Sequence, residues 1–448
     1  MRTSPSGRRR PLPAAAVLLL LFGTAISTTP ARDSKSVFSG LPIDPEAAQA
    51  ASKAERPIRF EPAWRFAGFS APLAGDLAVS ESLLTGTDVA GRLVALDPKD
   101  GRERWRVDLE APAAVGPALA GDRVLQGTSD GRLHAFAAAD GRPLWTAELG
   151  APPSAAPVVI AGTVLQGTRG PELLAIDPDN GTITGRLALE SIPLPPVEAR
   201  VRHGALAAVI AAEEGQVRLV DPASLAVRWR RAVGQSITAP PLVTEDRVYV
   251  AAGDRSIRAL KLASGRQKWA QRTGSRVTAR LLKHDDLLYA LCYDNDIYIF
   301  GAGNGHLRAR VTLDHRLAQD AALAGDRVFV APYTAAAVVG LELPALAIAG
   351  RFELDEQGEW FTTPPAWAGD RVALGWGRES GRLISLDVRD APPPERAGPE
   401  PEKRDAGPKS DADKPGPDGE PTDKLPATAE PDLVPPRPPP PPRGDPLD

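Results

Sequence analysis

Several residue patterns in the chain have the spacing that chemistry uses. Gly127-Thr128-Ser129-Asp130-Gly131 matches the G-x-S-x-G nucleophile elbow, which works only on a strand-to-helix turn that lifts the serine into the open. Gly301, Gly303 and Gly305 are spaced like a loop that cradles phosphate, and such a loop needs a helix N-terminus behind it. Asp177, Asp179 and Asn180 offer oxygens to a hard cation, but the twelve-residue loop and terminal Glu of a calcium site are missing. The five histidines, His134, His203, His284, His306 and His315, show no paired spacing typical of a metal or catalytic site. His284 stands beside Asp285 and Asp286 in a predicted turn, where solvated charge is ordinary. The one cysteine, Cys292, rules out an intrachain disulfide and a cysteine-rich zinc site. Each pattern therefore depends on the element beneath it: helices would allow the chemistry, and strand-to-strand turns would reduce it to turn formation.

The elements follow from a repeat. Ala95-Leu96-Asp97 leads through Gly101 to Trp105, Ala135 through Gly141 to Trp145, and Ala259 through Gly265 to Trp269. Ala175-Ile176-Asp177 with Gly181 and Gly185, and Gly301 to Gly305 with Ala309, keep the frame without the tryptophan. Leu219-Val220-Asp221 reaches Trp229 with Leu225 where the glycine would stand, and Leu341-Glu342 reaches Gly350. With Trp64 first, the equivalent positions are 64, 105, 145, 185, 229, 269, 309 and 350. Upstream of most of them lies an apolar run, a polar turn that is often Gly-Asp-Arg, and a second apolar run. No long segment shows the 3.6-residue helical period. Four short runs in roughly 41 residues, punctuated by Gly, Asp and Asn, give the period of a β-propeller blade. Asp177, Asp179 and Asn180, the triple glycine and the Gly-x-Ser-x-Gly segment all then fall in blade turns.

Three-strand units begin near Pro72, Pro117, Pro157, Val201, Pro241, Ala279, Ala321 and Pro365. The eighth ends at Leu386-Asp387 with no fourth strand after it, while Arg59 to Phe66 has no unit before it. These halves complete one another, so the sequence predicts an all-β, eight-bladed propeller of four-stranded antiparallel blades, sealed by the N-terminal strand as the outer edge of the last blade. Closure removes two exposed edges and gains one blade interface. Near the start of each outer strand, Trp64, Trp105, Trp145, Trp229 and Trp269 are expected to cover blade junctions. Gly101, Gly141 and Gly265 are expected to form the tight turn that aims the tryptophan four residues on, and Gly181 the same turn ahead of Gly185. The junctions at Gly185, Ala309 and Gly350 should be looser, or filled by other side chains.

The motif of Ala95-Leu96-Asp97, Gly101 and Trp105, with its copies at Gly141/Trp145 and Gly265/Trp269, resembles the tryptophan-docking repeat of quinoprotein alcohol dehydrogenase-like (PQQ-like) propellers over about residues 57–390. The resemblance implies the fold, and either of two functions. Enzymes of the family hold pyrroloquinoline quinone beneath a disulfide of adjacent cysteines with Ca²⁺ beside it, a disulfide that Cys292 alone cannot make. Scaffolds of the BamB type serve outer-membrane protein assembly without catalysis.

The ends differ from the ring. Arg8-Arg9-Arg10, the apolar run Ala14 to Phe22 and the small residues down to Ser27 read as an export signal over residues 1–27, followed by a linker over 28–56. No cysteine follows the apolar run, so no lipid anchor is expected. From Ala391 to Asp448, 19 of 58 residues are Pro and acids outnumber bases 13 to 8, a composition too polar to fold on its own. This acidic tail is expected to be disordered, with Pro435 to Pro442 extended as a spacer or a ligand for an aromatic groove. The whole chain has 448 residues and a formal net charge of −4, which speaks against nucleic-acid binding. The sequence thus points to a non-catalytic scaffold of the periplasm or cell envelope, or a secreted one, that binds envelope proteins and has no catalytic, cofactor or metal residues. The alternatives are a redox or small-ligand propeller using the quinone, and a binder of cell-wall polysaccharide.

Overall fold

The computed structural model describes residues 54–391, apart from 202–203, 235, 318, 333–334 and 357–358. The export signal, most of the linker, the Pro-rich tail and His203 lie outside the described residues.

Within them every regular element is a strand, arranged as eight four-stranded antiparallel sheets. Blade 1 consists of Ala78–Val79, Leu84–Thr87, Arg92–Leu96 and Glu103–Asp108, in that order from its inner to its outer edge. Blades 2 to 7 repeat the pattern through residue 353. The first strands of blades 1, 2, 3, 7 and 8 touch their neighbours, as do those of blades 4 and 5, which gathers them around the ring axis. Linkers between blades and the turns between second and third strands emerge on one face. The remaining turns, first to second strand and third to outer strand, emerge on the other.

Sequence dictates which strand goes where. Second and third strands are covered on both sides by neighbouring blades, so they read as unbroken apolar runs such as Leu173-Leu174-Ala175-Ile176, all fully buried. Outer strands keep one wet side and alternate: in Glu103–Asp108 only Trp105 is buried.

Blade 8 joins the two ends of the ring. Ala366–Ala368, Arg371–Trp376 and Arg382–Asp390 take Ile58–Phe66 as their outer strand, in register from Ile58 opposite Asp390 to Phe66 opposite Leu383. The chain ahead of that strand also engages the ring, with the Glu55 amide donating to Glu342 Oε2 at 2.8 Å and Arg56 Nε to Glu342 Oε1 at 2.9 Å.

One boundary needs correction. The first strand of blade 4 is Val197–Arg200, ahead of Val201 rather than after it. The 44-residue spacing from Gly185 to Trp229 arises from a longer turn, closed by the Val201 amide on the Ala205 carbonyl at 2.9 Å, and an apolar Val ahead of that turn mimics a strand start.

Candidate functional site: docked junctions and an arginine-aromatic face

The tryptophans act between blades, and the structure reassigns their glycine partners. Each Trp ring lies on the glycine of the following blade. A Cβ added to Gly101 would sit 2.5 Å from Trp64 Cδ2; at Gly141, 2.6 Å from Trp105 Cε3; at Gly181, 2.5 Å from Trp145 Cε3; at Gly265, 2.6 Å from Trp229 Cε3. Gly305, one of the triple glycines, receives Trp269 at 2.6 Å in the same way. Each glycine does close a tight turn, with Gly101 N–H donating to the Asp97 carbonyl at 2.9 Å. The reason no larger residue fits is nonetheless the neighbour's indole, together with φ near +70°. Each indole Nε1–H donates to the carbonyl three residues before its glycine. The acceptors are Pro98, Ala138, Pro178, Leu262 and Ala302, at 2.7 to 3.2 Å.

Two features behind this docking are absent from the sequence reading. First, a bulge precedes every docking position: Ala95 pairs with Trp105 but Leu96 with Glu103, leaving Arg104 extra, and the same shift recurs in all eight blades. A bulge turns the strand and re-aims the side chain, here toward the next blade. Second, the arginine of the turn between first and second strands, Gly-Asp-Arg in blades 2 and 8 and Glu-Asp-Arg in blade 5, reaches the same acceptor turn. Arg371 Nη1 donates to Pro98 O at 3.1 Å, Arg247 Nη1 to Ala302 O at 2.7 Å, and Arg123 Nη2 to Asp179 Oδ1 at 2.7 Å.

The junctions without tryptophan are filled by other means. At blades 3 and 4 the pair is inverted: Gly185 replaces the tryptophan, and Leu225 replaces the glycine at φ 56°. A Cβ on Gly185 would meet Leu225 Cδ1 at 3.3 Å. At blades 6 and 7, Ala309 faces an apolar cluster containing Leu346, again left-handed at φ 59° and fully buried. At blades 7 and 8, Gly350 admits the N-terminal strand itself, with Ile58 O 2.5 Å from where its Cβ would stand, while beyond it Phe60 meets Phe329 edge to face and Phe329 stacks on Trp367.

The other motifs settle into turns. Ser129 lies in the turn between the second and third strands of blade 2, where Thr128 Oγ1–H donates to Asp130 Oδ1 at 2.6 Å. Asp177 accepts from the Asp179 amide at 2.8 Å and from Asn180 Nδ2 at 3.0 Å, so its oxygens are engaged within its own turn. His134 stacks on Phe136 with a pKa lowered by burial, His284 ends the strand Leu282–His284 rather than lying in the predicted turn and is 3.5 Å from Asp285, His306 is exposed, and His315 contacts Arg351. Among the described residues no three His, Cys, Asp or Glu side chains cluster as a metal site. Cys292 is buried, and desolvation pushes its thiol up to about 12.

The linker face has a different character. Tyr293, in the turn between the second and third strands of blade 6, has the guanidinium carbon of Arg276 at 5.1 Å and that of Arg316 at 5.3 Å from its ring centroid. These arginines come from the linkers on either side of that blade. Further round the same face, Arg378 lies over Trp360 at 4.1 Å.

A family model described as outer membrane protein assembly factor BamB matches residues 61–193 and again 193–340. Among solved structures, BamB from Moraxella catarrhalis superposes with a TM-score of 0.62 at 17% identity, covering 73% of this chain and 100% of that one. The computationally designed Ika8 protein superposes with a TM-score of 0.61 at 15% identity, covering 72% of this chain and 99% of that one. These likenesses establish the fold. No curated protein matches the chain.

Proposed function

Because the chain belongs to the family described as outer membrane protein assembly factor BamB, we propose that it is a non-catalytic scaffold of the cell envelope that docks protein partners during outer-membrane protein assembly. The observation that carries this reading is the pair of family matches running through residues 61–340, most of the ring. The site geometry agrees with it. The residues that looked chemical in sequence are engaged in turn hydrogen bonds, and the repeat positions are engaged in holding blades together. What remains for function is surface: a rigid disc whose loops differ from blade to blade.

The test is affinity capture of the tagged full-length chain from envelope fractions after mild crosslinking, with partners identified by mass spectrometry. Recovery of outer-membrane β-barrel assembly components supports the scaffold; their absence above an untagged control overturns it. Repeating the capture without residues 391–448 locates the contact, because loss of every partner would move it from the ring to the tail.

A further inference from the structure

On the linker face of blades 5 to 7, Arg276 and Arg316 stand over Tyr293, and Arg255 reaches the Gly274 carbonyl two residues from Arg276. We propose that this cluster is a docking site for an acidic peptide segment of a protein partner. The inference rests on the scaffold reading and names the chemistry of what the scaffold binds.

Contiguity comes first. Arg255 Nη1 donates to the Gly274 carbonyl at 3.2 Å, two residues from Arg276. The Tyr293 amide donates to the Arg276 carbonyl at 3.1 Å, and both Arg276 and Arg316 stand over the Tyr293 ring. All three arginines are exposed and Tyr293 is half-buried.

Next comes what the guanidiniums lack. Three carboxylates close to these arginines in the chain are held by other guanidiniums, Asp254 by Arg258 at 2.7 Å, Asp296 by Arg310 at 2.6 Å, and Asp320 by Arg280 at 2.8 Å, while Asp294 and Asp314 make no ion pair among the described residues. Arg255, Arg276 and Arg316 make no ion pair among the described residues. A guanidinium carbon over a ring face is attracted to the ring while its N–H donors can still pair with a carboxylate. Stacking also removes part of the rotamer entropy that an arginine otherwise loses on binding. Arginine and tyrosine are the side chains that dominate protein interfaces when they are so arranged.

The surroundings choose among anions. Asp294 and Asp314 flank the cluster, and the chain as a whole is net negative, so the field is short-ranged and broken. A polyanion such as nucleic acid or an anionic bilayer needs a continuous basic face. One or two carboxylates on a peptide do not.

The test uses the full chain and a fluorescein-labelled peptide of alternating Gly and Glu, followed by anisotropy, with a Gly-Gln peptide as control. The Glu peptide should bind and the Gln peptide should not. Arg276→Gln and Arg316→Gln should each weaken binding about tenfold, as loss of one charge-assisted fork implies, with unchanged melting temperature. Arg276→Lys should recover only part of the loss, because it restores charge without the fork. Arg169→Gln, on a turn of blade 3, should change nothing. Equal binding of both peptides, insensitivity to the two substitutions, or tighter binding to anionic vesicles than to the Glu peptide would each overturn the proposal. The envelope capture separates this proposal from the scaffold reading. Assembly components recovered equally by wild type and by R276Q/R316Q leave the scaffold standing without this site. Glu-peptide binding with no assembly components recovered leaves the site without that scaffold role.

Discussion

The inverted junction between blades 3 and 4 makes a quantitative claim: Gly185 and Leu225 are a swapped version of the Trp and Gly that join blades 1 and 2. Gly185 pairs with Ala175 in the same register in which Trp105 pairs with Ala95, so a tryptophan at 185 would leave the strand in the docking direction. Its acceptor is also in place, because the Pro222 carbonyl stands three residues before Leu225, as Pro98 stands before Gly101. Leu225→Gly alone removes a side chain that is 5% exposed, a loss of about 3 kcal/mol, and returns about 1 kcal/mol by relieving a left-handed non-glycine backbone. Gly185→Trp alone drives an indole into Leu225, whose Cδ1 already lies 3.3 Å from a bare Cβ; overpacking of this kind costs about 3 kcal/mol. Independent effects would sum to about 5 kcal/mol. If the two positions form one lock, the double variant rebuilds a standard junction and loses only about 1 to 2 kcal/mol, a coupling near 3 kcal/mol. Urea unfolding followed by far-UV circular dichroism measures all four corners of the cycle without bias from the added tryptophan. A double variant destabilised by the sum of the singles, within about 0.5 kcal/mol, would falsify the lock.

At the standard junction, Trp105→Ala should cost about 3 to 5 kcal/mol, and Gly141→Ala should be destabilising in the wild type but much milder once Trp105 is gone, as denaturant midpoints would record. Cys292 is buried and its thiol is pushed up to about 12, so a thiol reagent at pH 8 should label it only through opening of blade 6; labelling of the folded chain as fast as of the unfolded chain would contradict its burial. Asp76 is exposed at its surface, but partial desolvation by the protein around it raises its pKa, followed by Asp320, with Arg280 opposing. A raised folded pKa favours the protonated form, so that contribution is present at low pH and lost as pH rises through the folded value. Asp76→Asn should therefore stabilise the chain at pH 7, with the gain vanishing near about pH 3, and thermal melts across that range test the sign.

Much of the ring was legible in sequence because its physics is periodic. A strand covered on both faces must be apolar throughout, an outer strand must alternate, and the lone strand carrying Trp64 had only one place to pair. The docking partner was not legible: a repeat of about 40 residues reads the same whether an indole seats on its own blade's glycine or on the next one. Leu225 stood out as a missing glycine, but only its contact with Gly185 shows the two departures to be one compensated change. The bulges left no sequence signal beyond the fixed distance from glycine to tryptophan. Nor could the arginine-aromatic cluster be read in advance, since its members lie in separate turns and linkers between residues 255 and 316, and only the ring brings them together.

The two faces divide stability from recognition. On the face of third-to-outer turns, Arg123, Arg247 and Arg371 are held across junctions beside the docked indoles, so their donors point into the ring and substitution there loosens a blade interface. On the linker face, Arg255, Arg276 and Arg316 make no ion pair among the described residues; Arg276 and Arg316 stand over the Tyr293 ring, and all three are exposed. A residue whose donors are already satisfied within the fold has little left to offer a partner, whereas an exposed guanidinium with no carboxylate gains most by finding one. Variation of the linker face can therefore change what the disc binds without changing whether it closes, and variation of the opposite face does the reverse.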